Sequence, residues 1–181
     1  MLLVLLLFAC SDALKGLYLP LVIVELFERP ELMSYLWIVQ AVFELLFMTV
    51  AGYWALRFGS RRVILVAVFC ALLTYGVYSV GPPLIIFFLV QPIYSFFVSV
   101  LYGVGIGYVQ KMFHQKIGFG SSVYVFLLEF AKLIGYILPF IIAGYQSTIF
   151  VIPATIMSLG LLLMIGQFMI NYRINRDKMI I

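Results

Sequence analysis

Asp12 and Lys15 stand three residues apart in an otherwise apolar stretch, Gln40 and Glu44 four apart in the next, and Glu129 and Lys132 three apart in a later one. Such spacings place each pair on one face of a helix. An ionisable side chain at the centre of a bilayer costs about 2.5–3.5 kcal/mol on insertion scales, so it faces a cavity or a partner instead of lipid. Groups of this kind bind polar solutes or carry protons. Tyr18 continues the face of Asp12 and Lys15, and Pro20 after it frees a backbone carbonyl and permits a bend. This first pair reads as a substrate or proton site on a hinged helix, or else as a local ion pair. Glu44 lies mid-stretch, where its short side chain cannot reach the interface, and is a candidate proton carrier. Its alternative is a structural pairing with Lys15 or Lys132. Glu129 and Lys132 read as a gating or coupling pair, or as an internal salt bridge that keeps insertion neutral. Gly135 and Pro139, further along the same stretch, suggest close packing and a bend.

A fourth stretch differs in kind. Ser95, Ser99, Gly103 and Gly107 recur every four residues. A stripe of small side chains lets two helix backbones approach closely in lipid. Gln91, Tyr94 and Tyr102 lie off that stripe and can offer hydrogen bonds to a polar ligand. The glycines of this stretch do not have the spacing or context of a nucleotide loop. Neither HExxH nor GxSxG occurs, and the single histidine, His114, falls in a loop. Cys10 and Cys70 sit inside apolar runs, as small packing residues, and suit neither a disulfide framework nor a zinc site. No enzymatic activity, metal or cofactor is expected.

The elements that must position these residues follow from composition. Of 181 residues, 66% are hydrophobic and 10% charged, and the mean hydropathy is +1.21. A soluble domain carries roughly 25% charged residues to wet its surface. The chain is therefore an all-α integral membrane bundle. About 20 apolar residues cross about 30 Å of hydrocarbon, and six stretches qualify: about 1–24, 32–56, 63–81, 83–110, 121–143 and 148–172. They are long continuous runs, unlike the short alternating strands of a membrane barrel.

Charge follows topology. The second loop carries Arg57, Arg61 and Arg62, the fourth Lys111, His114 and Lys116, and the tail Arg173, Arg176 and Lys178 with Asp177. The first loop is acidic on balance, and the third and fifth (SVGPP, GYQST) have no charge. Lysine and arginine in short loops stay cytoplasmic, so both termini are expected on the cytoplasmic side of a cell (inner) membrane. The net charge of +4 is thus a topology signal and points to no nucleic acid. Trp37 and Trp54, about 25 Å apart along one helix, suit the two interfaces. Leu7 to Cys10 faintly suggests a lipoprotein signal, but no basic residue precedes the apolar run, as a secretory signal requires. The chain begins almost directly within a span, which reads as an internal start or a truncation.

Gly52-xxxx-Arg57-x-Gly59-x-Arg61-Arg62 resembles the signature loop between the second and third helices of each six-helix half in the major facilitator superfamily. The fuller form of the loop has an aspartate just before the first arginine, where this chain has Leu56. That departure puts a gating charge lock at this loop in question. Cys10-Ser11 leading to Leu19-Pro20, the Ala51-Gly52 loop entry and Gly103-Val-Gly105 look like the C-terminal half of bacterial sugar efflux transporters. The resemblance implies half of a twelve-helix fold, covering the whole chain. It implies that Asp12, Lys15, Gln91, Tyr94 and Tyr102 face a sugar-like or drug-like solute and that Glu44, Glu129 and Lys132 serve proton coupling. Gly52, Arg57, Gly59, Arg61 and Arg62 would form the gating loop. It further implies proton-coupled efflux by rocking of two halves, with an N-terminal six-helix half or, failing that, a second copy as partner. The competing expectations are a multidrug/proton antiporter half and a non-transporting membrane fragment or assembly scaffold whose charges merely pair.

Overall fold

The computed structural model describes residues 1–141 and 149–177. The GYQST loop, the last residues expected of the fifth span and Lys178 lie outside the described residues, as do the side chains of Arg173, Arg176 and Asp177. Six helices cover the rest: α1 (Leu2–Phe27), α2 (Glu31–Phe58), α3 (Ser60–Ser79), α4 (Leu84–Met112), α5 (Ile117–Ile141) and α6 (Val151–Asp177). Each contains a run long and apolar enough to cross a membrane. Helices are what such runs must form, because lipid offers no partner for a free backbone N–H or C=O.

The turns are short and chemically explicit. Glu28 takes the left-handed conformation (φ 52°) and donates its N–H to the Val24 carbonyl at 2.9 Å, closing α1 just before Arg29-Pro30. Gly59 alone separates α2 from α3, at φ 90° and ψ 137°, a backbone region open in practice only to glycine. Gly81 with Pro82 and Pro83 turns the chain between α3 and α4.

α1 packs along α5 and α6, α4 packs along α2 and α3, and α3 also meets α6. Exchanging α1 with α4, α2 with α5 and α3 with α6 converts the α1 pairs into the α4 pairs and returns α3–α6 to itself, while the α2–α3 contact has no comparable counterpart among the described residues. This is the pattern of two three-helix repeats nested in a six-helix unit. α1 and α4 are accordingly the inner helices, 61% buried over their apolar windows, against 11% for α2 and 28% for α5.

Close approach is written into particular residues. A Cβ at Gly135 of α5 would lie 2.8 Å from Ala13 Cβ and 3.2 Å from the Cys10 carbonyl of α1, so only glycine permits this crossing. On α4, Ser95 Oγ lies 3.0 Å from the Gln40 carbonyl of α2, and Ser99 Oγ lies 2.8 Å from the Glu44 carbonyl. The small-residue stripe thus does join two helices, but only through its serines. A π turn at Val100–Val104 adds a residue to the helix and rotates the remainder of α4. Gly103 ends up exposed, and a Cβ at Gly103 or Gly107 would meet nothing. Gly105 takes the tight position instead, under the ring of Tyr124, whose hydroxyl donates to the Leu101 carbonyl.

Candidate functional site

Asp12 is half-buried on α1, and α4 crosses it closely enough to supply two phenols. Tyr94 donates to Oδ1 at 2.6 Å and Tyr102 to Oδ2 at 2.9 Å. Hydrogen bonds to an ionised carboxylate are among the stronger ones, so neutral donors hold the charge without a cation. Behind Tyr94 stands Tyr75 of α3, its hydroxyl 3.2 Å away. Tyr94 gives its proton to Asp12 and so can only accept in this contact, while the Tyr75 hydroxyl also donates toward the Ser11 carbonyl at 3.3 Å. Ser11 Oγ lies 3.1 Å from the Tyr75 hydroxyl and 2.8 Å from the Pro153 carbonyl of α6. Four helices therefore fix the position of Asp12 through one buried polar chain.

Lys15, one turn further along α1, is 4% exposed. It does not pair with Asp12 among the described residues. Its Nζ donates to Gln40 Oε1 of α2 at 2.7 Å and sits 4.1 Å from the centroid of the Tyr94 ring. An amide oxygen and a π face both favour a cation, while Asp12 and Glu44 supply the opposing charge at longer range. The ion pair envisaged between Asp12 and Lys15 is thus replaced by separate neutral partners for each charge.

These groups open on one cleft of about 310 Å³. α1 contributes Asp12, Lys15 and Gly16, α2 contributes Trp37, Gln40 and Glu44, α4 contributes Tyr102, and α5 contributes Lys132 and Tyr136. Pro20 lacks an N–H to give the Gly16 carbonyl, so a helix carbonyl at the cleft wall is left without its usual bond. Glu44 is half-buried and makes no ion pair among the described residues, with Lys15 or with Lys132. Lys132 instead takes Glu129 at 2.7 Å, in a pair whose side chains are 37% and 63% exposed.

The remaining expected residues fall elsewhere. Gln91 is fully buried, with neither its amide nitrogen nor its oxygen hydrogen-bonded among the described residues, and Tyr94 stands behind Asp12. Glu129 does not line the cleft. In the loop region Gly52 is exposed on α2, Arg57 lies over the Phe58 ring at 5.4 Å, and Arg61 Nε donates to the Tyr108 hydroxyl at 3.0 Å. Arg57, Arg61 and Arg62 make no carboxylate pair among the described residues, consistent with Leu56 standing in place of an acid. Trp37, Tyr136, Ser11 and Tyr75 belong to the site but were not among the expected site residues. Two had a signal: Trp37 is three before Gln40 and Tyr136 four after Lys132, each on a polar face. Ser11 and Tyr75 had none, because only the crossing of α1 and α3 joins them.

No curated protein and no solved structure matches the chain. Residues 1–150 match the MFS_1 like family. A match over that much of the sequence, on a six-helix membrane bundle with a charged cleft, makes the chain a member of this major-facilitator-type family of transporters, which are not enzymes.

Proposed function

We propose that the chain is a C-terminal six-helix half of a secondary transporter, which exports a sugar or a related polar solute against an inward flow of protons. The observation that carries the reading is the convergence of ionisable groups from three helices on one cleft, while the apolar windows of α3 and α6 contribute none. Asp12, Tyr102 and Gln40 offer the acceptors and donors that sugar hydroxyls need, and Trp37 and Tyr136 offer flat faces for a ring. Glu44 serves as the proton carrier beside them, with Lys15 as the buried cation that responds to its charge. Glu129 and Lys132 gate the α5 side. Gln91 is a latent contact: a buried amide without a partner costs about 1–3 kcal/mol, a penalty relieved if helix rocking brings it a hydroxyl. A second six-helix unit, an N-terminal half or a second copy, closes the cleft, and both termini are cytoplasmic.

The scaffold reading draws on one observation, that both oxygens of Asp12 already have donors. Reconstitution separates the two. Proteoliposomes holding the chain with a co-expressed N-terminal half are loaded with labelled hexose or a cationic dye, and efflux is followed under an imposed pH gradient. Hexose efflux dependent on the gradient supports the proposal. Dye efflux alone moves the assignment to a multidrug antiporter, and no movement of either defeats transport.

A further inference from the structure

A second cleft, of about 520 Å³, opens where α2, α3 and α4 end together, and it shares no residue with the first. Its polar wall is Arg61 and Arg62 of α3 and Lys111 of α4, all exposed. No carboxylate pairs with any of them among the described residues. Arg61 is steered by Tyr108, which accepts from Nε at 3.0 Å and leaves the terminal guanidinium nitrogens for another ligand. Three like charges share one concavity, and an anion placed among them would be favoured by all three. The N-terminus of α3 at Ser60 opens on the same space, and its positive dipole end adds to that field.

What distinguishes the place from a plain basic patch is its neighbour. A cavity of about 80 Å³ shares Arg61, Arg62 and Phe168 with it and is walled by Leu65 and Met164. The cationic cradle therefore continues into an apolar slot at the ends of membrane-spanning helices. A free phosphate would use the cradle and leave the slot. A molecule with a phosphate and a hydrocarbon chain fits both. We propose that the paired cleft holds an anionic phospholipid, with the phosphodiester on Arg61, Arg62 and Lys111 and the start of an acyl chain along Leu65, Met164 and Phe168. Basic pockets between helices are a known way to take such headgroups.

Native mass spectrometry of the full chain, released from micelles holding equal phosphatidylglycerol and phosphatidylcholine of matched chains, tests this. Retention of phosphatidylglycerol at about tenfold preference is expected. Each cation near an anionic headgroup is worth a factor of about five, so Arg61→Gln with Arg62→Gln together should abolish the tenfold preference and leave the two lipids near parity. The Arg61→Lys/Arg62→Lys variant should keep it, which guards against misfolding as the cause. Arg57→Gln removes a charge that lies outside the cleft and should leave the preference intact. Equal retention of the two lipids would overturn the proposal, and so would an equal loss in Arg57→Gln. Full displacement by millimolar glycerol phosphate would overturn it in favour of a soluble anion.

Discussion

Asp12 accepts one hydrogen bond on each carboxylate oxygen from α4, and both donors are neutral phenols. Replacing it by asparagine keeps the shape but removes the charge that Tyr94 and Tyr102 hold. We expect exchange of labelled solute across reconstituted vesicles to fall at least tenfold, with the melting temperature within a few degrees of the parent. Wild-type exchange in that variant would take Asp12 out of the pathway. Glu44 makes the complementary case, since no cation pairs with it among the described residues. Glu44→Gln should abolish accumulation driven by a pH gradient while solute counterflow at equal pH persists. Retained pH-driven accumulation would leave the proton without this carrier. Residue types and spacing were enough to nominate both carboxylates, because charge in an apolar run is visible without coordinates. They could not say that Asp12 is held by two phenols, because Tyr94 and Tyr102 lie 82 and 90 residues away in the chain.

The helices themselves were legible in outline, since runs of this hydrophobicity have no other stable form in lipid. Their contacts were legible only in part. The serines of the α4 stripe meet α2 as a stripe of small residues should, yet the glycines do not, because the π turn at Val100–Val104 breaks the four-residue period. Ser95→Ala with Ser99→Ala should lower stability modestly, by about 1 kcal/mol at roughly 0.6 kcal/mol for each interhelical bond, read as the midpoint of denaturant unfolding in micelles. Gly135 makes a stronger demand. Gly135→Leu drives a side chain into Ala13 and the Cys10 carbonyl, and overpacking of this kind costs about 1–3 kcal/mol. A parallel melt should show Gly135→Leu well below the parent and Leu133→Ala, on an exposed face, near it. Equal midpoints would mean that α1 and α5 do not meet as closely as described.

Across the whole molecule, polarity is segregated. α1 and α4 are inner helices, α1, α2 and α5 supply the charged groups of the cleft, and α3 and α6 have apolar windows with much of their outer surface exposed. Orientation is tested independently of transport. After Cys10 and Cys70 are replaced by alanine, a cysteine at Ser60 should react with a membrane-impermeant maleimide only in inverted vesicles. One at Pro82 should react only in right-side-out cells. The reverse pattern would overturn cytoplasmic termini while leaving the bundle untouched.

Hydrophobic runs, loop charges and the glycine-arginine loop already fixed the class of molecule, because each depends on residues close together along the chain. The backbone must be helical in lipid, and basic loops carry an expectation of which side they face. Which polar groups share a cleft was decided only in three dimensions. Helix rotation and crossing select whether Lys15 meets Asp12 or Gln40, and the sequence holds no local record of that choice. The same crossings sent Gln91 inward without a partner among the described residues and gathered Arg61, Arg62 and Lys111 from two helices into one basic concavity, while the π turn moved the close contact of α4 from Gly103 to Gly105.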